Sequence, residues 1–171
     1  MYYQRTLSSI IEKATKSFKV VLITGPRQVG KSTLFEKMME PNRTRVSLDD
    51  SDVLTLAKQD PNLFFQTYQP PLLIDEVQKA PELLLQIKKI VDNTNEKGLF
   101  WLTGSQKFTL MKNVSESLAG RVAVLDLQGL SQSEKSNDST REPFVPDIPL
   151  QTKRPIWSVK EVFEVIHKGS Y

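Results

Sequence analysis

Cysteine is absent from this 171-residue chain and histidine occurs once, at His167. Without thiols there is no disulfide, no thiol nucleophile and no Cys-ligated zinc, and one imidazole makes no histidine cluster for a metal. Any metal must therefore be held by oxygen ligands. Long apolar runs are missing too. No stretch approaches the roughly 20 residues of a membrane-spanning helix, and the start, Met1 to Ile10, is polar, carries Arg5 and has no apolar signal segment. These absences predict a cytoplasmic protein with no membrane partner. A dominant charge is also lacking: 23 basic residues stand against 20 acidic ones, a formal net charge of +3. That margin defines no nucleic-acid footprint without knowledge of where the charges sit.

What is there is the composition of an ordinary globular protein, 39% hydrophobic and 25% charged, in a length suited to one domain. Leu7, Ile10, Ile11 and Ala14 recur at helical spacing, and the short β-branched run Val20 to Ile23 that follows reads as a buried strand stopped by Gly25. Beyond a Gly-containing turn, Ser32 to Glu40 reads as a helix ended by Pro41, and Arg45 to Leu48 as a second strand before Asp49 and Asp50. Both aspartates read as helix caps. Ser51 to Lys58 and Asn62 to Tyr68 read as two short helices, each preceded by an Asp able to cap it. Leu72 to Ile74 is a third strand. Pro81 then opens a helix whose apolar stripe is Leu83, Leu84, Ile87, Ile90 and Val91. Leu99 to Leu102 is a fourth strand, Phe108 to Met111 and Ser115 to Leu118 are short helical pieces, and Val122 to Leu127 is a fifth strand in which Val122, Ala123, Val124 and Leu125 form a continuous apolar run.

Five buried strands separated by helices predict an α/β fold, a mainly parallel five-stranded sheet covered on both faces in three layers. From about Ser131 the sequence turns rich in Ser, Asp and Pro without periodicity, and a helical pattern returns at Ser158 to His167. The expected organisation is a core over residues 1–135, a flexible linker over 136–155 and, over 156–171, the start of a second unit. His167 reads as an exposed residue near a helix end.

The segment Gly25-Pro26-Arg27-Gln28-Val29-Gly30-Lys31-Ser32 matches G-x-x-x-x-G-K-[ST] at every fixed position, and it lies between an expected strand and an expected helix, as that motif requires. Glycines let successive N–H groups turn inward toward phosphate oxygens, and the following helix presents its positive end. Lys31 would reach the β- and γ-phosphates of ATP and the Ser32 hydroxyl would ligate magnesium, with Thr33 completing the nucleotide-binding run. Arg27 and Gln28 read equally well as nucleotide contacts or as solvated loop residues. The third strand ends in two carboxylates, where Asp75 would hold magnesium and Glu76 would polarise the water attacking the γ-phosphate. Thr103 or Ser105, at the end of the fourth strand, would sense the γ-phosphate or cap the next helix. Arg121 opens the fifth strand. At the nucleotide edge it would neutralise transition-state charge, on its own ATP or a neighbour's, and away from that edge it would be a surface arginine.

Five runs taken in order, GPRQVGKS (25–32), SLDD (47–50), LLIDEVQKAPELL (72–84), LTGSQ (102–106) and SLAGRV (117–122), are similar to the prokaryotic AAA-type ATPases of the AAA_14 group, which usually carry a C-terminal DUF4143 domain. The likeness runs from Arg5 to about Ser133. It implies an ATPase core of the additional-strand class with strand order 5-1-4-3-2, Lys31 and Ser32 on nucleotide and magnesium, Asp75 on magnesium, Glu76 as catalytic base, and a finger or sensor role for Arg121. Members of the group are about twice as long, so the resemblance implies a chain cut at Tyr171 or a shortened gene product.

Three functions fit these residues. The first is an ATP hydrolase that drives conformational change on a partner, as a homo-oligomer supplying Arg121 in trans or on DNA or another protein. The second is a small-molecule kinase, for which no arginine-rich lid is evident. The third is a nucleotide-gated binding module that does not hydrolyse. A GTPase would need an Asn-Lys-x-Asp segment, which the sequence lacks.

Overall fold

A computed structural model describes residues 2–105, 113–114, 116–135 and 158–168 of the chain. The helix α1 (Ser8–Ser17) leads into β1 (Val20–Thr24), followed by α2 (Lys31–Met38), β2 (Thr44–Ser47), α3 (Ser51–Gln59), α4 (Pro61–Thr67) and β3 (Leu72–Asp75). A 3₁₀ turn (Val77–Lys79), α5 (Glu82–Asp92), β4 (Phe100–Gly104) and β5 (Val122–Asp126) complete the core. A short helix, Gln132–Lys135, and a separate one, Val159–Lys168, follow. The expected piece at Ser115 to Leu118 is helical at residues 116–118. The Phe108 to Met111 piece, Gln106 and the linker over 136–155 lie outside the described residues.

The strands form one parallel sheet in the order β2-β3-β4-β1-β5, which is the expected 5-1-4-3-2 read from the other edge. β1, β3 and β4 are buried along their whole length, which is why they read as unbroken apolar runs rather than alternating ones. Alternate residues face opposite layers. Val20, Leu22, Leu72, Ile74, Phe100 and Leu102 pack with α3, α4 and α5 on one side, whereas Val21, Ile23, Leu73 and Trp101 meet α1 and α2 on the other. Phe35 of α2 stacks on Trp101 with ring centroids 4.6 Å apart, a contact worth about 1 kcal/mol beyond its burial.

The outer strands differ from the expectation of five buried ones. β5 is only partly covered, with Val124 38% exposed, and Thr44 and Arg45 of β2 are exposed. Both are edge strands, each paired on one side only, so an apolar composition does not guarantee cover.

Helix entry follows side-chain chemistry. The Asp50 carboxylate accepts from the backbone N–H groups of Asp52 and Val53, and that of Asp60 from Leu63, so each satisfies donors that a helix start leaves open. Asp49 is no cap. Its carboxylate pairs with the Lys79 ammonium, because the chain reaches the sheet edge there and brings the 3₁₀ turn alongside. Pro81 sits at the N-cap of α5 rather than inside it.

The segment after β5 is also anchored sooner than its composition suggests. Glu134 is buried, accepting from the N–H groups of Thr6 (2.7 Å) and Ser131 (2.8 Å) and pairing with Arg5 at 3.3 Å. Arg5, only 6% exposed, donates also to the carbonyls of Val29 (2.8 Å) and Gln128 (2.6 Å). One guanidinium thus ties the chain start and the residues after β5 to the loop between β1 and α2. Burial alone would raise the Glu134 carboxyl, but the two N–H donors and Arg5 outweigh it and hold it below the usual carboxylate range. A group whose folded pKa is depressed stabilises above its unfolded value, near 4.3, and loses that contribution as the pH falls through the folded one. Glu134→Gln is therefore expected to lower stability by about 2 kcal/mol at pH 7 and to flatten its decline below about pH 5. Urea midpoints at neutral and acid pH check both.

Candidate functional site

In a parallel sheet the carboxyl ends of the strands share one edge, where ligands bind. Here that edge carries the loop after Thr24, the end of β3 at Asp75 and the end of β4 at Gly104. The loop is shaped by its backbone. Gly25 has φ +146, and a Cβ placed there would lie 2.1 Å from the Leu127 carbonyl oxygen, so no side chain fits without displacing the strand beside it. Gly30, at φ +88, enters α2 in the left-handed region where glycine is favoured. Gln28 takes φ +64 without being glycine, a conformation that costs about 1 kcal/mol or more and that a ligand-holding loop can sustain.

Lys31, in the first turn of α2, is 5% exposed and donates to the carbonyls of Gly25 (3.1 Å) and Pro26 (2.7 Å). Burial pulls its pKa below the ordinary lysine value, and Arg27 adds to that, while Glu76 and Asp75 act to keep it charged. An arriving phosphate would support the charged form in the same way. Next to it, the Ser32 hydroxyl donates to Asp75 Oδ1 at 2.7 Å. Asp75, 5% exposed, also accepts from the Thr103 hydroxyl on Oδ1 and from Arg45 at 3.2 Å on Oδ2.

Glu76 lies one residue past β3 at φ +61, again left-handed without being glycine. That turn ends the strand, and the Glu76 carboxylate takes partners different from those of Asp75. Its N–H donates to Thr103 Oγ1 at 3.0 Å, and its Oε2 accepts from Ser105 Oγ at 3.1 Å and from Gln78 Nε2. The two hydroxyls that sequence left as alternatives are therefore divided between two carboxylates, Thr103 against Asp75 and Ser105 against Glu76.

These groups surround a cleft of about 700 Å³ lined by Gln28, Gly30, Lys31, Ser32, Glu76 and Gln78, with Arg27, Thr33, Asp49 and Lys79 at its sides. Arg27, Gln28 and Thr33 are exposed. The donor set fits a triphosphate with a hard divalent cation. Lysine and a helix start meet the anion, and a hydroxyl and a carboxylate already in contact offer two oxygens of the kind magnesium takes. Among the described residues no group of three or more carboxylates or imidazoles could hold a metal by itself. The remaining ligands would have to be phosphate and water, which is magnesium's habit.

Arg121 is not at this edge. It precedes Val122, whose partner in β1 is Val20, while the loop follows Thr24. A strand's length separates it from the phosphate loop, about 16 Å at 3.3 Å per residue. It sits at the amino end of the sheet, where it forms a two-point pair with Asp92 and donates to the Ala119 carbonyl at 2.9 Å. Of the placements that sequence left open, the one beside its own phosphate loop does not fit: a residue at the start of a parallel strand cannot meet a ligand at the end of the neighbouring one. His167 is exposed on the helix Val159–Lys168.

Several residues of the site were not singled out from sequence, among them Arg45, Gln78 and Arg5. Arg45 reaches Asp75 because β2 pairs with β3, Gln78 reaches Glu76 because the 3₁₀ turn folds back on it, and Arg5 is remote in sequence from the loop it holds. Only Gln78 had a signal, polarity inside the run LLIDEVQKAPELL.

Comparison with known proteins bears on family and fold. A family profile described as AAA domain, AAA_14, matches residues 17–136. Uncharacterized proteins of Mycobacterium bovis and Mycobacterium tuberculosis are each 35% identical over 130 residues, which is 75% of this chain and 29% of theirs. The chain thus spans less than a third of the curated relatives it matches. Among solved structures, a Walker-type ATPase of Pyrococcus abyssi aligns with TM-score 0.55 at 16% identity, covering 80% of this chain and 56% of that one. That last likeness is one of fold. Among the described residues no helix is long and apolar enough to cross a membrane.

Proposed function

Since the chain belongs to the AAA domain family, we propose that it binds ATP with magnesium and hydrolyses the terminal phosphate, converting hydrolysis into a conformational change on a partner. The observation that carries the reading is that Lys31, Ser32 and Glu76 line one cleft, with the Ser32 hydroxyl bonded to the Asp75 carboxylate. Residues 1–135 form the nucleotide-binding unit in this reading. The loop from Gly25 to Thr33 cradles the phosphates with its N–H groups, and Lys31 leaves the loop carbonyls to meet the β- and γ-phosphate charge. Ser32 and Asp75 hold magnesium, which when bound offsets phosphate charge. Glu76 orients the attacking water and takes one of its protons. The water oxygen bonds to the γ-phosphorus as the bond to the bridging oxygen breaks, and that electron pair leaves with ADP. Thr103 and Ser105, each bonded to one of the two carboxylates, link the state of the γ-phosphate to β4.

Arg121 acts in trans in this reading. Its place at the amino end of the sheet, a strand's length from the loop after Thr24, supports a finger presented to a neighbouring copy rather than to its own nucleotide. The partner that receives the conformational change is a second copy, DNA or another protein. Magnesium-dependent ATP turnover per molecule at rising protein concentration tests the reading. Turnover should climb with concentration, and Arg121→Ala should lower the plateau by about 10³-fold with ATP affinity kept. ATP binding without turnover at any concentration would reduce the chain to a nucleotide-gated binding module, and a phosphorylated acceptor formed in step with ADP would make it a kinase.

A further inference from the structure

We propose that Gln78 is a positioning residue for hydrolysis, bridging the Glu76 carboxylate and the attacking water; this rests on the ATPase reading above. Two residues past Glu76, Gln78 lies in the 3₁₀ turn Val77–Lys79, whose tight winding brings its side chain back over the carboxylate. Its Nε2 donates to Glu76 Oε2 and approaches Ser105 Oγ at 3.0 Å, while Ser105 Oγ donates to the same Oε2 at 3.1 Å. The three side chains close a triangle.

The orientation of the amide follows from chemistry. An ionised carboxylate only accepts, so the NH₂ end of Gln78 must face it and the carbonyl end must point elsewhere. That carbonyl, Oε1, is buried and has no hydrogen-bond partner. A buried acceptor left open is rare enough to require an explanation, and Gln78 lines the same cleft as Lys31 and Ser32. A small opening of the side chains around Oε1 would admit a water from that cleft as the missing donor.

The two donors on Oε2 use both of its lone-pair directions, so receiving a proton falls to Oε1 of Glu76. A water that gives one O–H to Glu76 Oε1 and the other to Gln78 Oε1 has both protons engaged and a lone pair directed outward. On attack, the proton facing Glu76 transfers to it, the other stays on the new phosphate oxygen, and Gln78 is left unchanged. Fixing two of the water's bonds is an orientation effect of the kind in which small misplacements cost large rate factors. The left-handed turn at Glu76 serves the same arrangement, since it starts the 3₁₀ turn immediately after β3.

The test compares wild type with Gln78→Met, which keeps length and removes both polar ends, Ser105→Ala and Glu76→Gln, in turnover, ATP affinity and side-chain amide NMR. Gln78→Met is expected to lower kcat about 10- to 100-fold with ATP affinity changed less than about threefold. Ser105→Ala should have a smaller effect that does not add to it. In nitrogen-15 spectra, the Gln78 side-chain signal, identified by its loss in Gln78→Met, should shift in Glu76→Gln while the backbone signals of β1 and β4 stay in place. A Gln78→Met enzyme turning over like wild type or faster, or losing affinity and rate equally, overturns the proposal. So does a Gln78 amide signal indifferent to Glu76, and that result counts even for a chain that hydrolyses nothing. Wild type and Glu76→Gln hydrolysing ATP alike would instead overturn the ATPase assignment of Glu76 itself.

Discussion

Glu76→Gln is expected to lower ATP turnover by about 10²- to 10⁴-fold, the range that general-base catalysis supplies, while leaving nucleotide binding near wild type. The substitution keeps the shape of the side chain and an oxygen able to accept from Gln78 and Ser105, so the triangle around it survives. Its backbone N–H still donates to Thr103. What disappears is the carboxylate proposed to take the water's proton. Asp75 cannot stand in: it is committed to Ser32, Thr103 and Arg45. Single-turnover kinetics with a separate binding titration check this, because a step lost only in the transition state changes kcat and leaves binding alone. A variant that hydrolyses as wild type does would remove Glu76 from the reaction.

The second large effect is expected at Gly25. Gly25→Ala would put a methyl group 2.1 Å from the Leu127 carbonyl oxygen, and at φ +146 the backbone gives it no relief. The obstacle is backbone, not the movable end of a side chain. Leu127 is itself held there, its N–H donating to the Thr24 carbonyl at 2.8 Å, so either β5 separates from β1 or the loop shifts. Overpacking of this kind costs about 3 kcal/mol, or roughly 10 °C of melting temperature for a domain of this size, and the displaced loop should lose ATP affinity as well. Gly120→Ala is the matched comparison. Gly120 has φ +73 but nothing within 4 Å of an added Cβ, so only the left-handed strain of about 1 kcal/mol remains. Thermal melts of the two variants side by side separate clash from strain, and equal shifts would show that the close approach at Leu127 is not what requires glycine.

The central strands and the amphipathic helices were legible in sequence for a plain reason. Residues covered on both faces must all be apolar, as in Val20 to Ile23, and residues on one helix face must recur every three or four, as in Leu83, Leu84, Ile87 and Val91. The phosphate loop was legible because its geometry is local: a glycine at each turn, then lysine and serine on the first turn of the following helix. Adjacent carboxylates at a strand end follow the same logic. Edge strands misled because an apolar run records composition and not cover, and Val124 of β5 stays 38% exposed despite its neighbours' likeness to a core strand.

Local pattern therefore suffices for the layered α/β plan and for where Lys31, Ser32, Asp75 and Glu76 sit, at the first turn of α2 and the end of β3. Sheet order was readable only through family resemblance, because nothing in the spacing of five strands says which pairs with which. The remaining contacts exist only in the folded chain. Folding divided Thr103 and Ser105 between the two carboxylates, set Arg45 against Asp75 and Gln78 against Glu76, and drew Arg5 under the loop. It also placed Arg121 at the end of the sheet away from the cleft. Each of those outcomes depends on the register and direction of parallel strands, which bring distant residues together at one edge and send the start of every strand to the other.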